Sequence, residues 1–397
     1  MKYLLSVALL FIASVAVHAQ QQEEDEIITD FGTDDYIYVP KMTLNIGMRS
    51  MSGPKASFYG SGTVGSILDF GPAAGTYNRN YHDGYVYQDS RQITDANGNP
   101  TPVAPDGKSN TWGYLDSNQL QPGGLIAMNS YSAQITDSSV RSKDTGNSYG
   151  VELTVTRDMG QVFNTRLRWG IVGGVSMNDL SASTHDSVSA TITRTTDLYS
   201  LDGAVPPAAP YTGPTAVTSP VLDANGNQRY DASGNALTQT VDSSVLIDNQ
   251  PLKRTTTTQT SSTSVMNNWK LKGAYMTFRV GPSLYFPFGE HFNASISAGG
   301  VLVYAGTTYT VTQTYKPDTS DDIVDIVGDG VSEFLPGYYV DANLNYIMNE
   351  ATGLYLGAVY QSSGGYTQRI FNKTSEYFTR VDLSRMQGVR AGLSYKF

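Results

Sequence analysis

Eight stretches of the chain alternate apolar and polar residues with a period of two. In the last of them, VRAGLSYKF, Val389, Leu393 and Phe397 lie on one face, whereas Arg390 and Lys396 lie on the other. This spacing is typical of a β-strand with one apolar and one polar side. The eight stretches cover residues 42–48, 149–155, 167–175, 274–284, 294–304, 338–346, 354–360 and 389–397.

The connections between these stretches alternate strictly between short and long. Short turns lie at 158–164, 287–293 and 349–353, and the longer polar segments cover 52–147, 179–268, 305–336 and 363–382. An even number of strands with short turns at one end and long loops at the other is the plan of an outer-membrane β-barrel. We therefore predict an all-β fold, an antiparallel up-and-down transmembrane β-barrel of eight strands with long extracellular loops. The segment GGLIAMNSYSAQ, residues 123–134, leaves ten strands as an alternative.

The N-terminal sequence predicts export. Lys2 precedes an apolar run over residues 3–17, and the small residues Val17 and Ala19 stand just before Gln20. This is the layout of a secretory signal peptide, which we assign to residues 1–19. We assign residues 20–40 to an acidic periplasmic lead-in. Residues 41–397 then form the barrel, with large surface loops near 52–147 and 179–268.

An export signal, eight amphipathic strands and a final strand that ends in Phe397 together resemble the small bacterial outer-membrane β-barrel family. The resemblance implies a place in the bacterial outer membrane with the N- and C-termini periplasmic, and contact with outer-membrane lipid and lipopolysaccharide. It also implies that the barrel-assembly machinery reads the last strand during biogenesis. This assembly signal is carried over to Val389, Ala391, Leu393, Tyr395 and Phe397.

Charged residues recur on the polar faces of the strands. A barrel of eight strands is only wide enough for its own side chains, and unpaired charges inside it would be costly. We therefore predict a lumen closed by salt bridges, in which Glu152 meets arginines across the turn 158–164 and Asp341 meets arginines across the lumen. The alternative is that these charges simply contact water. The predicted network comprises Arg49, Glu152, Arg166, Arg168, Arg279, Asp341 and Arg390.

Aromatic residues gather near the strand ends, as they do at the two interfaces of a membrane barrel. Aromatic enrichment is also common in any β-sheet, so it supports the barrel without proving it. We predict interface positions for Trp269, Phe288, Phe292, Tyr304, Tyr346 and Tyr360.

Composition excludes several functional classes. The chain has 36 acidic and 26 basic residues, a net charge of −10, and shows no basic patch for a nucleic acid. Without cysteine it has no disulfide or thiolate–metal chemistry. The Asp-Ala-Asn-Gly segments that begin at Asp95 and Asp223 carry oxygen ligands but lack the distal Glu of a calcium loop, and Asn-Gly favours hairpin turns. We predict turns there, and we expect no metal and no cofactor.

The histidines give little support to an enzyme. Beyond the signal peptide there are only His82, His185 and His291. The first two are each followed by an aspartate, but adjacent residues in a strand point to opposite faces and do not form a dyad by themselves. We expect no enzymatic activity, and we predict a structural scaffold that displays its loops for adhesion or other surface contacts. A narrow pore or conduit for small solutes is the alternative, and an outer-membrane enzyme is a lesser one. The sequence identifies no surface ligand.

Overall fold

The computed structural model describes residues 42–67, 77–96, 99–163 and 165–397. Most of these residues are in strands, so the predicted all-β class is confirmed. The only helix in the described ranges is the 3₁₀ turn Ser117–Gln119, and no helix there is long and apolar enough to cross a membrane. The predicted signal peptide and acidic lead-in lie outside the described residues.

Eight strands pair in a closed antiparallel ring, in which each strand bonds to two neighbours. The first and last strands pair with each other, and Met42 and Phe397 exchange two backbone hydrogen bonds of 3.0 Å. The ring strands are β1 Met42–Ser52, β2 Ser148–Gln161, β3 Arg168–Ser200, β4 Lys253–Phe288, β5 Phe292–Tyr315, β6 Ile323–Ile347, β7 Thr352–Ser362 and β8 Met386–Lys396. Each strand pairs with the next along the chain, and β8 pairs with β1.

Four of the ring strands are far longer than a membrane requires. β3 and β4 contain 33 and 36 residues, and β5 and β6 contain 24 and 25, whereas about 10 residues suffice for a tilted membrane strand. The segment 305–336, predicted as a long polar connection, therefore consists mostly of strand extensions, and strand extensions form both ends of the predicted connection 179–268. Alternation continues through these segments with its polar and apolar faces exchanged, so the predicted strands stopped too early.

The orientation of apolar side chains reverses along the ring strands. We call the end of the ring nearest the short turns its lower part and the opposite end its upper part. In the lower part of β5, Ile296 and Leu302 point outward, whereas Ser295 and Ser297 are buried inside. In its upper part threonines such as Thr312 point outward, and most inward positions carry buried apolar side chains such as Tyr309 and Val311. The lower part thus presents an apolar outer wall. The upper part has the apolar interior and polar exterior of a water-soluble protein.

The upper interior is filled by apolar side chains. One cluster, which includes Phe58, Leu180, Trp269 and Tyr309, occupies the inside of the extended strands. A second cluster lies further along the extensions and includes Trp112 and Tyr199. The strand extensions are therefore held by two packed cores.

The remaining strands pair with the upper half of β3 or with one another. Leu125–Ile135 pairs with the upper half of β3, so the segment considered as a source of extra ring strands lies outside the ring. A second sheet joins Arg141–Asp144, Lys55–Ser61, Glu376–Asp382 and Gly365–Phe371 in that order. The others are short: Thr63–Gly65, Arg79–Asn80, Gly84–Val86, Gln92–Thr94, Pro100–Pro102, Lys108–Ser109, Trp112–Tyr114, Leu120–Gln121, Tyr211–Thr212, Ala216–Pro220, Thr238–Asp242 and Ile247–Asp248.

Candidate functional site

Four charged side chains meet inside the lower ring and form what we call the lumen network: Glu152, Arg279, Asp341 and Arg390. All four are at most 7% exposed. The Arg279 guanidinium lies 3.0 Å from Asp341 and 3.6 Å from Glu152. The Arg390 guanidinium lies 2.8 Å from Asp341 and 3.4 Å from Glu152. Each carboxylate therefore serves both arginines, and the four side chains form one unit that bridges β2, β4, β6 and β8.

Neighbouring polar groups add hydrogen bonds to the lumen network. The Tyr355 hydroxyl donates to Glu152 over 2.9 Å, and the Ser297 hydroxyl donates to Asp341. Arg390 Nε donates to the Asn343 side chain over 2.9 Å. Glycine makes the room for this packing, because a β-carbon on Gly47 would collide with the Tyr355 hydroxyl. Buried charges are tolerated when they are paired and hydrogen-bonded in this way.

The other three predicted network residues lie elsewhere. Arg49 is buried, but its Nη1 donates to the Ser176 hydroxyl over 2.6 Å and it has no ion pair with a described carboxylate. Arg168 pairs with Asp158 at 2.6 Å. Arg166 is exposed in the turn before β3. The predicted contact of Glu152 with Arg166 and Arg168 is therefore wrong: Asp158 is closer to Arg168 at the turn, and Glu152 faces the middle of the lumen.

A small polar cavity opens below the lumen network. Its volume is about 70 Å³, and its lining includes Asn45, Thr154, Ser283 and Ser295 beside the two network arginines. Hydroxyl and amide groups of this kind favour bound water. The cavity ends at the lumen network, and the apolar cluster of the extensions lies beyond it.

Rings of aromatic side chains mark two levels on the outer wall. At the short-turn end Phe288 and Phe292 stack with centroids 5.8 Å apart, and Tyr346 lies 5.3 Å from Phe292. At the upper level Tyr304 packs against Phe334 at 4.8 Å, and Tyr338 lies 6.3 Å from Tyr360. Phe334 was missed in the sequence because it falls in the segment 305–336 that we predicted as a connection.

Trp269 does not occupy an interface position. It is 2% exposed and belongs to the apolar core of the extensions, with the Arg141 guanidinium 4.8 Å from its ring centroid. The prediction was wrong because, at this position of β4, the apolar side chains point inward and the polar side chains point outward. Its neighbours on the same face, Val265 and Leu271, are fully buried, whereas Lys270 and Lys272 point outward.

Four of the five residues of the predicted assembly signal share the outer face of β8, and Phe397 follows directly after this strand. Val389, Leu393 and Tyr395 are at least half exposed there, and Tyr395 stacks on Phe397 at 6.2 Å. Ala391 lies between them on the same face. The structure thus presents these residues as one apolar stripe on the last strand of the ring.

His82 connects two segments of the upper part of the molecule, whereas His185 lies exposed on β3. His82 Nδ1 accepts a hydrogen bond of 3.0 Å from the Tyr131 backbone N–H, and burial lowers the pKa of His82. Asp83 turns away from it and accepts bonds from the Asn129 backbone and side chain and from the Thr319 hydroxyl, at 2.6 to 2.7 Å. His185 is exposed, and the adjacent Asp186 pairs with Arg141. Neither predicted His–Asp neighbour pair is arranged as a catalytic dyad.

The segments that begin at Asp223 (Asp-Ala-Asn-Gly) and Asp231 (Asp-Ala-Ser-Gly) fold as turns. Asp223 and Asp231 each accept a 2.9 Å bond from the backbone N–H four residues on, and Asp95 accepts a corresponding bond of 2.8 Å. Their carboxylates are therefore occupied by their own loops. In the described ranges, no group of three or more acidic or histidine side chains is arranged to hold a metal ion.

No family model matches this chain, and no curated protein matches it. Similar solved structures include the outer-membrane protease OmpT from Escherichia coli, at 10% identity and a TM-score of 0.31, covering 92% of this chain and 100% of that chain. The outer-membrane protein OprG from Pseudomonas aeruginosa matches at 10% identity and a TM-score of 0.29, covering 90% and 96%. A Pseudomonas aeruginosa FadL homologue matches at 10% identity and a TM-score of 0.18, covering 90% of each chain. Likenesses this weak decide neither family nor function.

Proposed function

We propose that this protein is an eight-stranded outer-membrane β-barrel with a closed lumen that carries a rigid platform for surface interaction. The observation that carries the proposal is the lumen network, which fills the ring where a conducting bore would have to run. Above it, the apolar core of the extensions fills the interior a second time. The protein would therefore act through its outer and upper surfaces, as a scaffold and an adhesion platform.

The two aromatic levels support a membrane position for the lower ring. Phe292 and Tyr304 lie on the same outward face of β5 and are separated by 304 − 292 = 12 residues. Twelve residues of a strand tilted by about 40° rise by about 30 Å, which is close to the thickness of a bilayer core. The outward side chains between them are apolar, and those above Tyr304 are threonines. In this placement the short turns, the start of β1 and the end of β8 lie on the periplasmic side. Lipid and lipopolysaccharide contact the outer wall.

The upper part supports the surface role. β3 and β4 remain paired beyond the upper aromatic level as far as Leu198 and Lys253. Beyond them the hairpin of Ala216–Pro220 and Thr238–Asp242 is exposed along nearly its whole length. We call the paired extensions of β3 and β4 the stem and the exposed hairpin the arm. A long packed stem that ends in an exposed arm is suited to presenting a binding surface away from the membrane.

A narrow pore is the second candidate. The polar cavity of about 70 Å³ on the short-turn side favours it, because such a cavity admits water to the level of the network arginines. For conduction, both the lumen network and the apolar core above it would have to open. Of the two candidates, the closed barrel needs no such rearrangement.

Single-channel recording separates the two candidates. The protein would be refolded into a planar bilayer, with its folding verified by resistance of the strands to protease and by its β-sheet circular dichroism. We expect no steady openings from the folded protein, at a protein amount where a known porin in the same bilayer gives regular steps. Reproducible conductance steps from the folded chain would overturn the closed-lumen function.

A further inference from the structure

The upper end of β4 forms an open edge of the sheet. On one side, residues 253–261 pair with β3. On the other side, β5 reaches only to Val265 of β4, and above that residue no further strand of the described ranges pairs there. Every residue of 253–263 except Ser261 is exposed, so both faces of the strand contact water. We call Thr255–Ser261 the β4 edge; its backbone groups that point away from β3 face water.

The other long strands of the upper part do not offer such an edge. The upper half of β3 pairs with Leu125–Ile135. The upper half of β6 extends beyond its pairing with β7, but it carries inward-facing charges at Asp329 and Glu333 and a proline at Pro336. The Gln368 side chain also donates a 2.7 Å hydrogen bond to the Asp329 carbonyl. Inward charges and proline keep edge strands from pairing, and the β4 edge has neither.

The sequence of the β4 edge is complementary to itself in the antiparallel direction. It is TTTTQTS, with Thr258 at its centre. When two copies pair antiparallel about Thr258, every threonine faces a threonine or a serine, apart from the pair of Thr257 with Gln259. Such hydroxyl pairs stabilise antiparallel sheets. The stem already contains one, because the Thr256 and Thr195 hydroxyls lie 3.2 Å apart.

The charges that flank the β4 edge favour the same direction of pairing. Lys253 and Arg254 precede it, whereas the uncharged Ser262 and Thr263 follow it. In a parallel pair the basic residues of the two copies would lie side by side and repel each other. In the antiparallel pair they lie at opposite ends, about 30 Å apart, which is well beyond the distance at which salt screens exposed charges.

We infer that the β4 edge pairs with the β4 edge of a second copy of this chain, antiparallel and centred on Thr258. A two-fold axis perpendicular to the sheet relates the two strands. Because the barrel wall stands upright in the membrane, this axis is parallel to the membrane plane and turns the second barrel upside down. The two copies therefore lie in facing membranes and join two cells. This inference rests on the proposed surface role and names its partner.

The height of the β4 edge suits a contact between membranes. Thr258 lies 276 − 258 = 18 residues above Met276, which pairs with Tyr304 at the upper aromatic level. Eighteen residues of a tilted strand rise by about 40 Å, so the paired copies hold the two membranes about 80 Å apart. One pair of short strands binds weakly, but many copies on two cells act together.

Cysteine crosslinking tests the register, because the chain has no cysteine of its own. In the inferred pair, Thr258 faces Thr258 and Thr256 faces Thr260. Cells that display Thr258→Cys should therefore yield disulfide-linked dimers on oxidation. Thr256→Cys and Thr260→Cys should give no dimer alone but should crosslink when the two cell populations are mixed, which also shows that the membranes face each other. Thr312→Cys, on the outer face of β5, is the control and should stay monomeric.

Clumping of cells with short lipopolysaccharide measures the contact itself. Thr256→Asp combined with Thr260→Asp places like charges opposite each other, so we expect loss of clumping at an unchanged amount in the outer membrane. The corresponding double lysine variant should behave in the same way. Mixing the two populations places opposite charges against each other and should restore clumping to at least half the wild-type level.

A matched variant excludes general attraction between charged cells. Thr308→Asp combined with Thr312→Asp has the same charges at the same spacing on the outer face of β5. Cells that display it should clump like the wild type. They should not clump with the double lysine variant, because that variant has no unaltered β4 edge.

The outcomes separate this inference from the proposed surface role. Absence of a crosslink between the mixed populations overturns the pairing, and so does equal clumping of the wild type and the double aspartate variant. Failure of the aspartate and lysine populations to clump together overturns the register on which the pairing depends. If these results come from cells that still adhere to other surfaces, the surface role stands without the self-contact. Cells that neither clump nor adhere would overturn both.

Discussion

Glu152 is one of the two carboxylates that neutralise the two arginines of the lumen network. It lies between Arg279 and Arg390 and also accepts a hydrogen bond from Tyr355. Glu152→Gln keeps the shape but leaves two buried arginines to share Asp341. Removing one partner of a buried ion pair costs about 3–5 kcal/mol, so we expect the free energy of unfolding in detergent micelles to fall by about that amount.

An exposed ion pair gives the matched control for this prediction. Lys55 and Asp144 lie 3.6 Å apart with side chains that are 61% and 75% exposed. Asp144→Asn removes the same charge and should change the free energy of unfolding by less than about 1 kcal/mol. Similar small losses in both variants would mean that the lumen charges are hydrated and not coupled.

Asp83 should make the upper part of the molecule sensitive to pH. Burial raises the pKa of Asp83 from 3.8 to about 6, against the lowering effect of its hydrogen bonds from Asn129 and Thr319. The folded protein therefore holds this proton more tightly than the unfolded chain does. The resulting stabilisation is complete below pH 3.8 and is lost as the pH rises through about 6, a difference of roughly 3 kcal/mol.

Hydrogen exchange of the Asn129 amide, corrected for its intrinsic rate, measures this effect between pH 4 and pH 7. Protection should fall as the pH rises, and Asp83→Asn should remove the pH dependence. The same variant should lower protection at every pH, because its NH₂ group would face donors from Asn129 or Thr319. Asp321→Asn, at an exposed position, should leave the profile unchanged. A protection that rises with pH in the wild-type protein would contradict the prediction.

At the scale of elements, period-two alternation was enough to find all eight strands of the ring. It could not find their upper ends, because alternation does not say which face is inside. Thr308, Thr310 and Thr312 on the outer face of β5 looked like loop residues, although Tyr309 and Val311 between them are fully buried. Trp269 was misplaced for the same reason. The sequence indicated the residues of the lumen network because their charges are conspicuous on the polar faces of the strands. Which charges pair with each other depends on the strand register, which the sequence pattern does not give.

The reversal of faces gives a prediction within one strand. Ile296 and Thr312 both point outward from β5, one between the two aromatic levels and the other above them. An arginine on the lipid-facing wall near mid-membrane costs about 2–4 kcal/mol, whereas one in water costs almost nothing. We therefore expect Ile296→Arg to reduce the free energy of folding into lipid vesicles by that amount and Thr312→Arg to leave it nearly unchanged.

The same two variants in denaturant titrations of detergent-solubilised protein provide the control. Detergent adapts to a charge more readily than a bilayer does, so the difference between the variants should shrink there. Equal costs for the two variants in vesicles would contradict the membrane position of the lower ring.

At the scale of the whole molecule, the stem and the exposed arm have separate structural roles. The stem is held by strand pairing of β3 with β4 and by buried apolar side chains. The arm, Ala216–Asp242, consists of one five-residue strand pair and two further turns. Its base is tied to the rest by Asp242, which accepts a 2.8 Å bond from Asn110. Almost no apolar surface is buried by the arm itself, so it contributes little to stability.

Shortening the arm tests this division. In the variant, residues 218–240 are replaced by Asn-Gly, a two-residue turn that joins Val217 directly to its partner Val241 and retains Asp242. We expect the free energy of unfolding to change by less than about 1 kcal/mol, because the lost residues are exposed. If the arm carries the surface contacts, adhesion of cells that display the variant should fall while its amount in the outer membrane stays constant. If the shortened variant failed to fold, the arm would be a structural part of the stem. If its adhesion were unchanged, the surface contacts would lie on the sides of the stem.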